Sequence, residues 1–569
     1  MSISWSYPAP DVRDSRSPGG FGAAPVRTDT RPAVHAQCGI SIIFCCAACR
    51  RDLAARMPPM ATPSSLPAAD NRAHATPAPW RGRRVRWLLL VFASAWILTA
   101  AYNVLKAMPA GTRISSPTFN LTEDDVRFLY DVTVGDGSGQ RRIEQQIFDA
   151  VFAVIDNARE FIVLDFFLIN DDRGALGTRA APHRALSHEL FDRLLARKRA
   201  VPGLRVLLVT DPINDAYGGA PADGLHRLRE AGIDVAVTRL GALRDSNPLY
   251  SGFYRVFVGW WAGDGNGYGW LPNPLDDGPE RVTLRSWLAL LNFKANHRKV
   301  IAADDGAGGR VAIVTSANPH DASSAHSNVA LEVRGPIVDE IIDSEIAVAR
   351  FSGWEGAWRP PGMKGDAGAG EIKVQYLTEG AIAEATLAAI ERTAAGDGID
   401  VAMFYLSDRP HVAALAAAAR RGVDVRIILD PNKDAFGHVK DGVPNRPVAV
   451  ELIRLSEGRA QVRWYRTHGE QFHVKLLAVR SGGRLWLTLG SANLTRRNIA
   501  DYNLEANIAV TAPAQGALAR AVQRWFDTLW RNDAGEGLAY TADFAAYEDT
   551  SRFRYWRYRI MEATGLSTF

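Results

Sequence analysis

Cysteine is missing from most of the chain. The four cysteines lie within twelve residues, at Cys38, Cys45, Cys46 and Cys49, so nothing beyond position 49 can form a disulfide. A body without cysteine neither supports nor opposes an oxidising compartment. The spacing C-x6-C-C-x2-C lacks the paired spacings of a zinc site, and we expect no metal centre there.

Excess charge of either sign is also missing. The 569 residues include 66 Lys and Arg against 62 Asp and Glu, and 47% are hydrophobic. This composition excludes wholesale disorder, collagen and a multi-span transporter, and the length predicts two to four domains. Residues 1–106 hold 13 basic and 5 acidic residues, which leaves 53 and 57 for the other 463. A body that bound nucleic acid mainly through net charge would be basic, so only a local basic groove stays open.

Long uncharged runs are scarce. The run from Trp87 to Leu105 has 19 residues and is long enough to span a hydrocarbon core, although a cleaved signal peptide or a buried helix is an alternative. We expect residues 1–86 to be a disordered basic segment, with Met57 and Met60 as alternative starts. Basic residues before the run place the N-terminus in the cytoplasm and the body on the extracytoplasmic, periplasmic side. These residues are Arg81, Arg83, Arg84 and Arg86.

Helix and strand patterns alternate through the body and then recur. Phe161–Ile169 is a nearly continuous apolar run, typical of a buried strand, and the β-α-β order predicts a largely parallel sheet covered by helices. Asp211–Gly218 and Asp430–Gly437 share the pattern D-P-x-x-D-A-aromatic-G, so we expect a tandem duplication of one α/β unit. The predicted segments are an anchor at 87–105, a first lobe at 117–352, a linker at 353–371, a second lobe at 372–545 and a basic, aromatic tail at 546–569.

Each half carries the same set of polar residues at nearly the same spacing. The pattern H-x-K opens a predicted strand, and S-A-N follows it. Residues i and i+2 of a strand face the same side, so His and Lys project together. An Asn lies ten residues past each S-A-N asparagine, and a carboxylate follows it. The first set is His297, Lys299, Ser316, Asn318, Asn328 and Glu332, and the second is His473, Lys475, Ser491, Asn493, Asn503 and Glu505.

These residue types suit phosphodiester chemistry without a metal or cofactor. An imidazole attacks phosphorus and leaves again, while a second imidazole exchanges protons with the alcohols. Two Lys and two Asn amides can hold the phosphoryl oxygens, and Glu332 and Glu505 can bond the far ring nitrogens and select each tautomer. Two half-sites must meet at one phosphate, which explains the duplication.

The paired motifs resemble those of the phospholipase D superfamily over roughly Arg142 to Val510. The resemblance implies a bilobal α/β fold of two phospholipase D-like lobes, with a pseudo-twofold site at their interface and a phosphohistidine intermediate. It implies that His297 is the nucleophile and His473 the acid and base, and the reverse order stays open.

The same resemblance assigns the residues around the histidines. It implies catalytic roles for the Lys, Asn and Glu of both sets and structural roles for Asp304, Ser316 and Ser491. Arg497 matches the family's N-x3-R pattern. Arg480 stands where the family usually has an Asp that is mostly structural. Five other residues are expected to be neighbours, turn formers or caps: Asp215, Asp434, His320, His326 and His468.

Two aromatic stretches are candidates for lipid contact. Phe253–Leu275 reads as a flexible aromatic loop that leans on a bilayer or an acyl chain, or else as a satellite core. Arg552–Arg559 alternates basic and aromatic residues, which suits lipid headgroups or an amphipathic edge strand.

The leading interpretation is a membrane-anchored phosphodiesterase or phosphatidyltransferase that acts on phospholipid. The resemblance implies cardiolipin synthase-like chemistry as one form of this reaction. The alternatives are a membrane-tethered nuclease of the same superfamily, with nucleic acid as its partner, and a non-catalytic binding protein. The headgroup, the acceptor and the oligomeric state stay open.

Overall fold

The computed structural model describes residues 79–135, 141–171, 183–260, 269–273, 281–362, 369–435, 438–533, 538–567 and 569. The predictions for residues 1–78, including the cysteine stretch and the alternative starts, lie outside the described residues.

The helices and strands alternate along the body, as the sequence predicts. The helices are α1 Pro79–Leu105, α2 Ile147–Asn157, α3 Leu186–Ala200, α4 Asp223–Glu230, α5 Pro248–Phe257, α6 Leu284–Leu290, α7 Ile337–Phe351, α8 Gly380–Glu391, α9 Arg409–Arg420, α10 Asn445–Leu455, α11 Arg496–Ile499, α12 Ala517–Arg531 and α13 Arg552–Thr564. The strands are β1 Phe119–Leu121, β2 Val126–Gly135, β3 Arg141–Glu144, β4 Phe161–Phe166, β5 Arg205–Thr210, β6 Asp234–Val237, β7 Leu271–Pro272, β8 Arg281–Val282, β9 Lys299–Asp304, β10 Arg310–Thr315, β11 Asn328–Arg334, β12 Ile372–Thr378, β13 Gly398–Met403, β14 Asp424–Leu429, β15 Asp434–Ala435, β16 His438–Val439, β17 Gln461–Tyr465, β18 Lys475–Ser481, β19 Arg484–Gly490, β20 Ala506–Pro513 and β21 Thr541–Asp543.

Two large sheets repeat one strand order. The first runs β3-β2-β11-β10-β9-β4-β5-β6, and the second runs β1-β12-β20-β19-β18-β13-β14-β17-β21. Seven consecutive strands of the first, from β2 to β6, correspond in order to the seven from β12 to β17 in the second. The mixed α/β class is confirmed. The order is what a tandem duplication predicts, and an approximate twofold axis stays a prediction.

The prediction of a largely parallel sheet is wrong. Only β4, β5 and β6 in one sheet and β13, β14 and β17 in the other run parallel, and the other neighbours in both sheets are antiparallel. The reason is the hairpin that follows each H-x-K strand. Gly482 and Gly483, both with positive φ, turn β18 directly back into β19, and a two-residue turn can join only antiparallel strands.

The two sheets pack face to face, and helices cover their outer faces. One core cluster combines Val300 and Leu331 of the first sheet with Leu487 and Ile508 of the second. Helices α2, α3 and α4 pack on the outside of the first sheet, and α8, α9 and α10 on the outside of the second. Because both faces of the central strands are buried, their sequences read as continuous apolar runs.

Three sequence predictions change at the edges of this core. Strand β1, inside the predicted first lobe, pairs with β12 of the second sheet. The segment Arg552–Arg559 is helix α13 and not an edge strand, because Ser551 caps its start and the buried Glu562 accepts from Ser407 Oγ at 2.8 Å. The stretch from Phe253 begins inside helix α5, while its residues 261–268 and 274–275 lie outside the described ones. Helix α1 begins at Pro79, so the last eight residues of the segment 1–86 are helical and not disordered. The domain boundaries stay predictions.

Candidate active site

The two H-x-K motifs lie where the sheets meet. Each lysine is the first residue of a central strand, Lys299 of β9 and Lys475 of β18. The residues just before each strand pair with a loop of the opposite sheet, since His297 N donates to Leu504 O at 2.9 Å and Ser327 N donates to Gln471 O at 3.0 Å. The pairing brings residues of both sheets to each histidine.

Each histidine is held through Nδ1 by an acceptor from the opposite sheet. His297 Nδ1 lies 3.0 Å from a carboxylate oxygen of Glu505, and His473 Nδ1 lies 3.2 Å from Oδ1 of Asn328. An acceptor at Nδ1 selects the tautomer that carries its proton there. This arrangement leaves Nε2 of each ring as the atom that can react.

The surroundings of the two histidines repeat one another. Phe167 packs its ring 4.9 Å from that of His297, and Phe404 packs 5.0 Å from that of His473. The Nζ atoms of Lys299 and Lys475 lie 5.2 and 5.0 Å from the centres of the same two phenylalanine rings. Each Nζ also donates to the carbonyl of its own motif histidine, at 2.7 and 2.8 Å. The sequence prediction that His and Lys project together therefore describes both half-sites.

The S-A-N asparagines follow directly on strands β10 and β19. Asn318 and Asn493 are 5% and 4% exposed, and the buried Oδ1 atom of each has no hydrogen-bond partner in the described part of the chain. Leaving a buried amide oxygen unpaired costs free energy, so such groups are commonly completed by water or a ligand. Two equivalent unpaired amides are a feature of a binding site.

Glu332 does not hold a histidine, and Asn328 takes that place. The register aligns Thr315 with Ala330 in the first sheet and Gly490 with Asn507 in the second, so the counterpart of Glu505 is Asn328. Both accept from the serine of S-A-N, Asn328 from Ser316 Oγ at 3.0 Å and Glu505 from Ser491 Oγ.

The carboxylate of Glu332 pairs instead with Arg127 and, at 2.9 Å, with Arg334. Counting ten residues past each S-A-N asparagine equated Asn328 with Asn503, because the connection in the second half is two residues longer. Counting back from the aligned strands gives the correct pair.

Asp304 and Arg480 lie at the far end of their strands from the lysines, about 16 Å away at the usual rise of a strand. Asp304 accepts from the backbone N–H groups of Arg159, Glu160 and Phe161 at 2.8–3.1 Å. Arg480 donates to Asp400 at 3.1 Å instead. The departure from the family pattern is therefore a change in how two strands are joined, away from the histidines.

Burial disfavours every charge in the site. It lowers the pKa of His297 to about 4, although Glu505 opposes the shift, and it lowers the pKa of Lys299 to about 7. Burial, followed by the neighbouring lysines, holds the pKa of His473 well below its usual range, and burial does the same for Lys475. A buried cluster of cationic groups gains most from an anion, because a bound negative charge raises all these pKa values.

Two aspartates that the sequence analysis passed over hold the motifs in place. Asp211 Oδ2 accepts from Asn296 N at 2.7 Å, and Asp430 Oδ2 accepts from Phe472 N at 2.8 Å. Each donor is the residue just before a motif histidine. Both aspartates open the repeated octets, so the duplication itself was the signal that could have found them.

Asp215, four residues into the first octet, accepts from Gly218 N at 2.8 Å as a turn residue does. The side chain of Asp434 lies outside the described residues.

Glu379 is another residue that sequence reasoning missed. Its Oε1 accepts from Glu505 N at 3.1 Å and from Arg298 at 2.7 Å, so it connects the acceptor of His297 to a fully buried arginine. Its φ is +49°, a left-handed conformation that costs a non-glycine residue free energy. Nothing in its local sequence marks it.

The nearby histidines and Arg497 are neighbours of the site. His326 lies 6.2 Å from His473 between ring centres, and its Nδ1 accepts from Gln471 N at 3.2 Å. His320 Nδ1 lies 3.4 Å from Ser323, and His468 lies 3.8 Å from Glu470. Arg497 donates to the carbonyls of Gly565 and Ser567. Among the residues that the structure describes, no group of three His, Cys, Asp or Glu side chains is placed to hold a metal ion.

Parts of the chain are similar to known proteins. The family model described as "Cardiolipin synthase, PLD-like domain" matches residues 388–530. Cardiolipin synthase A of Pseudomonas aeruginosa is 24% identical over 463 residues, which are 78% of this chain and 73% of that protein. Cardiolipin synthase A of Pseudomonas putida is 24% identical over 420 residues, which are 70% and 67%.

Two solved structures were also found. Phosphatidylserine synthase of Haemophilus influenzae has a TM-score of 0.47 at 11% identity and covers 82% of this chain and 96% of its own. The phospholipase D family member Nuc of Salmonella typhimurium has a TM-score of 0.24 at 19% identity and covers 32% and 100%. Both scores are below 0.5, so we base no conclusion on them. The matched domain and the relatives agree with the resemblance of the paired H-x-K motifs to the phospholipase D superfamily.

Proposed function

We propose that the chain is a membrane-anchored phosphatidyltransferase or phosphodiesterase that acts on phospholipids with cardiolipin synthase-like chemistry. The observation that carries the proposal is the pair of matching half-sites, in which each motif histidine is held at Nδ1 by a residue of the opposite sheet. Relatives named cardiolipin synthase A support the substrate class.

The first step is a displacement at phosphorus. Nε2 of His297 attacks the phosphorus of the bound phosphodiester, an N–P bond forms and the bond to the leaving alkoxide breaks. His473 gives its Nε2 proton to that oxygen, which departs as the alcohol. Lys299 and Lys475 balance the charge on the phosphoryl oxygens.

The second step reverses the roles around the phosphohistidine. His473 takes the proton of an incoming hydroxyl group, whose oxygen attacks phosphorus as the N–P bond to His297 breaks. When the hydroxyl belongs to a second phosphatidylglycerol the product is cardiolipin, and when it belongs to water the product is phosphatidic acid. One site serves both reactions because only the second nucleophile differs.

The unequal acceptors favour His297 as the nucleophile. The carboxylate of Glu505 stabilises the positive charge that its ring gains on forming the N–P bond. The amide of Asn328 is neutral and does not stabilise a cationic His473, so that ring gives up its proton more readily. This difference supports the order of roles that the sequence left open.

Helix α1 supports the anchor. Residues Arg83–Leu105 are long and apolar enough to cross a membrane, and only 11% of their most apolar window is buried against the protein. The arginines before Trp87 favour a cytoplasmic N-terminus, with the sheets on the extracytoplasmic side. The nuclease stays the alternative, and the net acidic body does not favour it.

The test is turnover by the full-length protein in mixed micelles that contain phosphatidylglycerol and a chelator, with products separated by mass. We expect cardiolipin from the wild type and a loss of at least 1,000-fold, on the order seen for catalytic groups, in His297→Ala. His226→Ala changes an exposed histidine on α4 and should leave turnover unchanged.

Phosphatidic acid as the sole product would make the protein a hydrolase. No lipid turnover together with cleavage of single-stranded DNA would replace the lipid proposal with the nuclease.

A further inference from the structure

Helix α5 lies along α1. Trp96 of α1 donates through Nε1 to the carbonyl of Leu249 at 2.8 Å, and its ring centre lies 6.3 Å from that of Phe253. Further along, Phe92 of α1 lies 5.8 Å from Phe257, the last residue of α5. The two helices therefore run side by side in opposite directions.

The contact between the two helices is close. A Cβ atom on Gly252 would lie 3.0 Å from Cβ of Ala100 and 3.1 Å from the ring of Trp96. Small residues at such crossings are typical of helices that associate inside a membrane, where close backbone approach supplies the attraction. Beside this crossing is an apolar groove of about 600 Å³, whose walls include Ile97, Val104, Pro248 and Leu249.

The outer face of α5 continues the apolar surface of α1. Leu249 is 61% exposed and Phe253 is 42% exposed, and Trp260 just beyond the helix is 77% exposed. The only charged residue between positions 248 and 260 is Arg255, which turns toward the body and donates to both oxygens of Asp245 at 3.0 and 3.1 Å. An apolar face with its one charge paired on the inner side is suited to lipid.

The position of α5 along α1 gives its depth. Phe92 precedes Leu105 by 13 residues, which is about 20 Å of helix, and a hydrocarbon core is about 30 Å thick. If α1 spans the bilayer, the end of α5 at Phe257 lies well inside it. We propose that α5 is a second membrane element, a re-entrant helix beside α1, with the acyl chain of a bilayer phospholipid in the groove between them. This proposal depends on the anchor in the proposed function.

The start of α5 connects this element to the histidines. Asn247, the residue before α5, donates to the carbonyl of Leu291 at 3.4 Å. Phe293 follows two residues later, lies 5.4 Å from the guanidinium of Arg497 and precedes His297 by four residues. The inserted helix thus keeps the catalytic site next to the lipid surface, where a substrate phosphate lies.

Spin-label depth in proteoliposomes tests the proposal. The full-length protein, with its four cysteines changed to serine, is labelled at Phe253→Cys and reconstituted into phosphatidylglycerol and phosphatidylethanolamine vesicles. Leu98→Cys lies on the exposed face of α1 and is the reference for a lipid environment. Asp192→Cys replaces an exposed residue of α3 and is the matched reference for water. We expect the ratio of oxygen to nickel-complex collisions at Phe253 to match Leu98 and exceed Asp192 several-fold.

The alternative outcomes are distinct. A ratio at Phe253 equal to that at Asp192 overturns the proposal, and so does shielding from both reagents, which would show a second protein copy on this face. A water-like Leu98 would overturn the anchor and the proposal together. Leu249→Cys on the same face repeats the measurement if the first variant fails to fold. The depth of the spin label is measured without turnover. Its value therefore does not depend on whether the protein catalyses the lipid reaction.

Discussion

At the scale of single residues, the two half-sites differ in one acceptor. Glu505 and Asn328 occupy equivalent places and bond equivalent histidines, yet only one carries charge. A carboxylate within hydrogen-bond distance raises the pKa of an imidazole by about 1–3 units, and an amide does not. Burial lowers the pKa of both rings, and a carboxylate opposes that shift only at His297.

Asn328→Asp should move the pH dependence of the reaction. The new carboxylate raises the pKa of His473, which must be protonated to release the leaving alcohol, so the alkaline limb of kcat/KM shifts upward by about one unit or more. A pH–rate profile of the variant measures the shift. Asn157→Asp, at the exposed end of α2, should leave the profile unchanged. An unmoved alkaline limb in Asn328→Asp would mean that His473 is not the acid.

Replacing Arg480 and replacing Asp304 by alanine should have different effects on the free energy of unfolding. Arg480→Ala removes a partly exposed ion pair and should change the free energy of unfolding by about 1 kcal/mol or less, with turnover within about twofold of wild type. Asp304→Ala leaves four backbone N–H groups without this acceptor and should cost about 2–4 kcal/mol. Denaturant unfolding in detergent compares them. A large activity loss in Arg480→Ala at unchanged stability would contradict the structural role of this position.

At the scale of elements, the duplicated octets position the strands that carry the chemistry. Asp211 and Asp430 each follow a strand and accept from the backbone just before a motif histidine. The residue before each H-x-K strand is thereby fixed to the end of β5 or β14, which lies one strand further along the same sheet. Displacement of a reacting group by about 1 Å can cost roughly 100-fold in rate.

Asp430→Ala should lower kcat by about 10–100-fold with little change in KM, because His473 moves while the rest of the site stays. Steady-state kinetics on micellar phosphatidylglycerol measure both constants. Asp215→Ala is the matched control, since this aspartate accepts only within its own turn. Equal effects of the two substitutions would show that Asp430 acts on folding alone.

At the scale of the whole molecule, the site exists only where two sheets face each other. The histidine of each sheet needs the loop of the other, so a single lobe would leave both rings without their acceptors. The same burial that forms the site makes protonation of its histidines costly, and folding stability is thereby linked to pH.

Stability should fall in acid through His297. Its folded pKa of about 4 lies below the usual 6.5, so the unfolded chain binds the proton first and stability is lost as the pH falls from 6.5 toward 4. Between pH 7 and 5 this amounts to about 2 kcal/mol. Unfolding in detergent at the two pH values measures the loss, which should be smaller by that amount in His297→Gln. An equal loss in both proteins would contradict the shifted pKa.

The motifs, the duplication and the α/β class could all be predicted from the sequence. These features are local patterns, which can be seen in the sequence whatever the fold. They include the repeated H-x-K and S-A-N sets and octets such as Asp211–Gly218. Buried strands such as β4 are equally local, because their apolar runs follow from burial on both faces.

Which residues meet depends on how the strands align and how the sheets pack. Asn328 and Glu505 became equivalent through strand register, and Glu332 was displaced from the site by the same register. Glu379 reaches Glu505, and α5 reaches α1, across more than a hundred residues of sequence. Contacts between distant segments depend on sheet order and packing, and no local pattern in the chain encodes either.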